Sequence, residues 1–164
     1  MQDTLLVGDY LMANNAAYGL RNPFNNKVWL PIGKPRRGDV AIFIFPQDHS
    51  KDYTKRVIGL PGERVQITNK EVYINGELYQ TPQARFVDKE IIPAQKSPRD
   101  NYGPVVVPKD SYFVLGDNRD RSYDSRFWDF VPFDLLRGKA LYVYLSLEQQ
   151  DSRVRWQRIG ISLN

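Results

Sequence analysis

Cysteine is absent from the 164 residues, and with it go thiolate nucleophiles, disulfides and cysteine-based metal sites. Histidine occurs once, as His49 in the polar run Gln47-Asp48-His49-Ser50-Lys51, which reads as a loop tip. Zinc catalysis ordinarily draws on two or three histidines, so no metal is expected. A hydrolase built from this chain needs some other base. Long apolar runs are lacking too. The longest, Val40 to Phe45, stops at Pro46, against roughly 20 residues for a membrane helix. Met1 is followed by Gln2-Asp3, not by the basic and then apolar segment of a secretory signal, so the chain as written is expected to be soluble. Charge does not gather in blocks: the net +4 comes from scattered basic residues, and nucleic acid is not an expected partner.

What is present points to a packed β-protein. Hydrophobic residues make up 41%, with 10 Tyr, 8 Phe and 3 Trp, enough for one moderate domain or a domain with a small subdomain. Met1–Leu11 sets two apolar groups around Gly8-Asp9 and reads as two short strands or one bent strand. Residues 14–35, rich in Asn, Gly and Pro, read as loop, with Tyr18, Phe24 and Trp29 holding it to the core. Arg36-Arg37-Gly38-Asp39 turns into Val40–Phe45, a continuous apolar strand. Such a strand is buried on both faces, or has one face against something non-aqueous. Further on, Val65-Gln66-Ile67 and Val72-Tyr73-Ile74 alternate, and Asn75-Gly76 before Glu77-Leu78-Tyr79 marks a hairpin. Residues 80–110, divided by five prolines, read as an excursion with little helix. Ser111–Leu115 resumes the core, Asp134–Gly138 suggests a helical turn, and Ala140–Leu147 and Val154–Ile161 read as strands. No helical period of useful length appears.

Two stretches carry chemistry. In Asp52-Tyr53-Thr54-Lys55-Arg56-Val57-Ile58-Gly59-Leu60-Pro61-Gly62 a lysine sits where a strand enters apolar surroundings. Lys55 is either an ordinary solvated charge or a desolvated amine whose lowered pKa lets it accept a proton near neutral pH. In Gly116-Asp117-Asn118-Arg119-Asp120-Arg121-Ser122-Tyr123-Asp124-Ser125-Arg126, three aspartates, three arginines and two serines crowd into 11 residues. That packet is either a turn bonding its own backbone or a fixed polar scaffold.

Together with Arg37-Gly38-Asp39-Val40, these boxes resemble type I signal peptidase, the membrane-bound serine–lysine protease family that removes signal peptides. The resemblance implies a mainly β fold of two antiparallel sheet domains. The catalytic core would comprise residues 1–64 plus 110–164, and residues 65–109 a small inserted β subdomain. It implies Lys55 as general base, Ser122 orienting it, and Asp117, Asn118, Arg119, Asp124 and Arg126 supporting that loop. Met1, Leu5, Leu11, Ile42, Asp52, Tyr53 and Thr54 match positions near the pockets for small substrate side chains. No cofactor is implied. The partners would be signal peptides of exported preproteins and a membrane surface, with the catalytic domain on the outer side of a bacterial cytoplasmic membrane. Met1–Asp9 fits the family's nucleophile box after its serine, with Asp3 where proline is usual. The nucleophile would then immediately precede Met1, and the chain as written would be inactive. Lys55 and Ser122 should touch, and Val40–Phe45, with Trp29, Tyr142 or Tyr144, should leave an apolar wall uncovered. A non-catalytic peptide-binding domain and another serine–lysine peptidase, such as a self-cleaving repressor or a pilus-processing enzyme, are the alternatives. A β-barrel nucleic-acid binder has only the basic pI of 9.3 behind it.

Overall fold

The computed structural model describes residues 1, 4–21, 28–151 and 153–163. Its strands are β1 (Asp9–Asn14), β2 (Leu20–Arg21), β3 (Val28–Leu30), β4 (Val40–Ile44), β5 (Asp52–Gly59), β6 (Arg64–Thr68), β7 (Glu71–Ile74), β8 (Glu77–Tyr79), β9 (Tyr102–Val106), β10 (Ser111–Leu115), β11 (Val131–Pro132) and β12 (Leu136–Ser146). The main helical piece, α1 (Ser125–Trp128), is a single turn. A large sheet runs in the order β1-β12-β4-β5-β10-β11, a smaller one β8-β7-β6-β9, and β2-β3 form a separate ribbon. All of these ladders are antiparallel. The fold is mainly β, as the sequence implies.

The alternation of β4 explains how the layers form. Ala41, Phe43 and Phe45 join Val57, Val114 and Trp128 in one cluster, while Val40 turns the other way to Ala140, Val143 and Leu163. A third cluster holds the two sheets together: Ile58, Phe113 and Leu115 of the large sheet pack on Val65, Ile67, Val72 and Ile74 of the smaller one. Two turns build the smaller sheet. Ile74 pairs with Glu77 and Thr68 with Glu71, so each turn has two central residues. All four of these have positive φ: Asn75 (54°), Gly76 (90°), Asn69 (50°) and Lys70 (73°). That backbone matches the twist of the flanking strands.

Several expectations change. Thr4–Gly8 forms tight turns, not strands: the Leu5 amide donates to the Met1 carbonyl at 2.8 Å, and the Asp9 carboxylate takes the Leu6 amide. Trp29 does not hold its segment to the core, because the two-stranded ribbon leaves it 79% exposed; Tyr18 is buried. Phe24 and Asp3 lie outside the described residues. Val154–Ile161 is not a strand. A helical turn at Trp156–Arg158 interrupts it; backbone bonds at Arg155, Gly160 and Ile161 to Ser146 and Val143 tie its ends to β12, and Arg155 and Arg158 reach back to Asp9. Strand β9 went unread because it contains Gly103 and Pro104. It lies at the edge of its sheet, where a missing N–H is tolerated. Finally, Val40–Phe45 is no uncovered wall: Val40, Ala41 and Phe43 are wholly buried. The aromatics named with it, Trp29, Tyr142 and Tyr144, are exposed, as are Tyr10, Trp156, Phe86, Phe127 and Tyr123, the last packed against Phe45. No helix among the described residues is long and apolar enough to cross a membrane.

Candidate active site

Strand β5 carries Lys55 and Arg56 side by side, and the pleat sends them to opposite faces. Lys55 stands opposite Ala41 and Arg56 opposite Val40, so each shares the face of its partner. Strand β10 meets β5 only from Arg56 to Gly59. Beside Asp52–Lys55 the chain has instead passed into the loop beginning at Gly116.

On the first face, Lys55 Nζ donates to Ser122 Oγ at 2.9 Å, across 67 positions of sequence. Burial lowers the lysine pKa below its ordinary value. Asp124 and Asp117 pull it up from further away, and Arg126 reinforces the depression. No carboxylate forms an ion pair with Lys55 among the described residues. Gly116 lets the pair approach: a Cβ there would lie 2.2 Å from Ser122 Oγ and 3.4 Å from Lys55 Nζ.

The loop is held by arginine–carboxylate forks. Asp124 is fully buried and receives Arg126 Nε and Nη2, both at 2.8 Å, plus the Gly116 amide at 3.1 Å. Burial alone would raise its pKa; the Arg126 charge and these hydrogen bonds overcome that and hold it below the usual range. Arg126 also donates to the carbonyls of Arg99 and Arg119. On the opposite face, Arg56 grips Asp117 with two 2.9 Å bonds and donates to the Gly38 and Leu163 carbonyls. Thr4 Oγ1 reaches the same Asp117 carboxylate at 2.6 Å. The Asn118 side chain caps the turn by accepting from the Arg121 amide. The Arg119 amide and carbonyl are both bonded.

The sequence-derived wall residues fall in two groups. Met1, Leu5, Leu11 and Ile42 together fringe the cluster of Val40, Ala140, Val143 and Leu163. Asp52, Tyr53 and Thr54 precede Lys55 on β5, where Tyr53 stacks on Phe45 at 4.4 Å between ring centres. Ile42 and Asp52 line a cavity of about 490 Å³ with Leu20 and Arg137, two residues the sequence did not single out. Reading the sequence also missed the anchoring of Asp120. Its carboxylate receives Lys70 Nζ at 2.9 Å and the Val87 and Asp88 amides, ties between segments far apart in the chain that carry no local signal.

Comparison with known proteins accords with this arrangement. The family model described as signal peptidase, peptidase S26, matches residues 1–145. The signal peptidase I of Pseudomonas aeruginosa is 36% identical over 195 aligned positions, covering 98% of this chain and 68% of the relative. That of Buchnera aphidicola subsp. Acyrthosiphon pisum is 31% identical, covering 98% and 71%. Among solved structures, a signal peptidase I from Enterococcus faecalis V583 superposes with a TM-score of 0.52 at 31% identity, over 66% of this chain and 97% of that one. The chain belongs to the signal peptidase family, peptidase S26.

Proposed function

We propose that this chain is the catalytic part of a signal peptidase I that cuts signal peptides from exported preproteins through a serine–lysine pair. The observation that carries this reading is the partly desolvated Lys55 amine, without an ion-pair partner among the described residues and 2.9 Å from Ser122. In the proposed reaction, Lys55 in its neutral form takes the proton of a serine hydroxyl as that oxygen attacks the scissile carbonyl. The proton then passes to the leaving amine, and water, deprotonated in the same way, clears the acyl-enzyme. Ser122 keeps the amine oriented. Asp117 with Arg56, and Asp124 with Arg126, hold the loop in place. Residues 1–64 plus 110–164 form the catalytic core in this reading, with 65–109 inserted.

The nucleophile is proposed to be a serine immediately before Met1. Thr4 is fastened to Asp117, next to the Gly116 against which Lys55 and Ser122 lie. A residue four positions before Thr4 can extend up to about 14 Å from it, and this tether beside Gly116 supports a nucleophile that meets Lys55. A substrate peptide would add beside Asp52–Lys55 as an extra strand, its small side chains against Met1, Leu5, Leu11 and Ile42. The exposed Trp29, Trp156, Tyr10 and Tyr144 suit contact with a membrane surface, where such rings prefer the boundary.

The test is reconstitution. The chain as written should not cleave a preprotein with alanine at the first and third positions before the cut. Adding the serine before Met1, with a short upstream segment, should bring cleavage, and Lys55→Ala in that protein should lower kcat by about 10³-fold or more. Robust cleavage by the chain as written would show a different nucleophile. Failure of the restored chain, with the peptide still bound, would favour a peptide-binding domain.

A further inference from the structure

Arg119 differs from the other arginines of its loop. Its backbone is fully used, but its side chain is not. It is only 4% exposed, yet its Nε has no hydrogen-bond partner and its guanidinium makes no ion pair among the described residues. It lines a cavity of about 620 Å³, walled by Val72, Leu78 and Phe86. Thr81 lines the same cavity, and its buried hydroxyl also lacks a partner. An unmatched cation and an unmatched hydroxyl thus open onto one half-apolar space. Neither Lys55 nor Ser122 lines it.

Buried charges are normally paired, and an unpaired one calls for a counter-ion. Burial and the nearby Arg126 charge pull the Arg119 pKa down to about 10 although Asp124, Asp117 and Tyr79 pull it up from further away, and it remains a cation at neutral pH. The other cation on the cavity, Lys70, is already matched by Asp120 at 2.9 Å. Glu71 also lines the space and would repel a dianion. One free positive charge, a planar two-pronged donor and apolar walls together select a ligand.

We propose that this cavity binds a carboxylate carried on a short apolar group, the carboxylate on Arg119 and Thr81 and the apolar group against Leu78, Val72 and Phe86. Both a free short-chain acid and the C-terminal carboxylate of a peptide ending in an apolar residue have this chemistry. The site is independent of the cleavage reaction, so it can be tested on the chain as written.

The experiment titrates the ¹⁵N-labelled protein at low salt with hexanoate, with a tripeptide ending in leucine, with the same tripeptide amidated, and with inorganic phosphate. Expected is a saturable shift of the Arg119 Nε–H resonance with hexanoate or the free-acid peptide; which of them binds more tightly identifies the source. The amide and phosphate should leave it unmoved. Arg119→Gln should weaken binding by about tenfold or more. Leu78 is 48% exposed, so Leu78→Glu can repel the carboxylate without disturbing the core, and it should weaken binding even if Arg119→Gln fails to fold. No shift up to roughly 20 mM of either acid, well above the ~1 mM of a small ligand held by one charged contact, would overturn the proposal. So would phosphate binding more tightly than both acids, or Leu78→Glu binding unchanged.

Discussion

The two faces of β5 treat neighbouring cations in opposite ways. Arg56 is met by a bidentate carboxylate and two carbonyls, which replace the water it has lost. Lys55 is met by one hydroxyl, and burial lowers its pKa. Burial alone does not decide the outcome; the presence or absence of an adjacent anion does. One face fixes a charge permanently, the other leaves an amine able to shed it.

Breaking the charged face should have the largest effect. Asp117→Ala strands Arg56 in the interior, and chemical denaturation should show a loss of about 3–5 kcal/mol. Replacing both partners, as in Arg56→Met with Asp117→Leu, should recover much of that loss, because it is the unpaired charge that is costly. Next comes Gly116→Ala, whose methyl would collide with Ser122 Oγ. About 1–3 kcal/mol should be lost, and in the serine-restored protein cleavage should fall with it. Ser122→Ala removes the hydrogen bond from Lys55 and the one Ser122 gives the Asp124 carboxylate, a change of about 1–3 kcal/mol. Its kinetic signature should be a lower kcat with little change in KM.

Last, and opposite in sign, comes Lys55→Met, which removes a charge held at a cost and should raise stability at pH values below the folded pKa. The folded protein holds the Lys55 proton less tightly than the unfolded chain, whose lysine titrates near 10.5. Between the lowered folded value and 10.5 the unfolded state binds more protons, so this residue makes stability rise with pH. Below both values the slope vanishes and the cost of the buried charge is fully present. Lys55→Met should remove the rise, as seen by comparing denaturation midpoints of the two proteins through that window. In the serine-restored enzyme, the rate should climb with pH through the same folded pKa.

Much of this was legible in the sequence because it is written locally. The apolar run of β4, the alternation around Asn75-Gly76 and the change from polar to apolar along β5 each sit within a few residues. Lys55 and Ser122 were recognisable as members of boxes, and their contact then followed from the resemblance. The unread parts depend on distance. Pro104 argues against a strand unless the edge position of β9 is known. Arg155 and Arg158 look like strand residues until Asp9 is seen opposite them. The unpaired side chain of Arg119 is invisible in its motif, since the same run supplies carboxylates that turn elsewhere. The apolar strand β4 itself is covered, by Tyr18 and Trp128 on one face and Leu163 on the other, while the aromatics expected beside it, Trp29, Tyr142 and Tyr144, are left exposed.

The bond from Arg56 to the Leu163 carbonyl also sets a clock on biosynthesis. A ribosome delivers residue 163 after residues 56 and 117, so the cradle around Arg56 closes only once that later segment has been added. A nascent chain stalled earlier holds the lysine and its loop without their final latch. Cleavage of the chain just before residue 163 returns the folded protein to that unlatched condition.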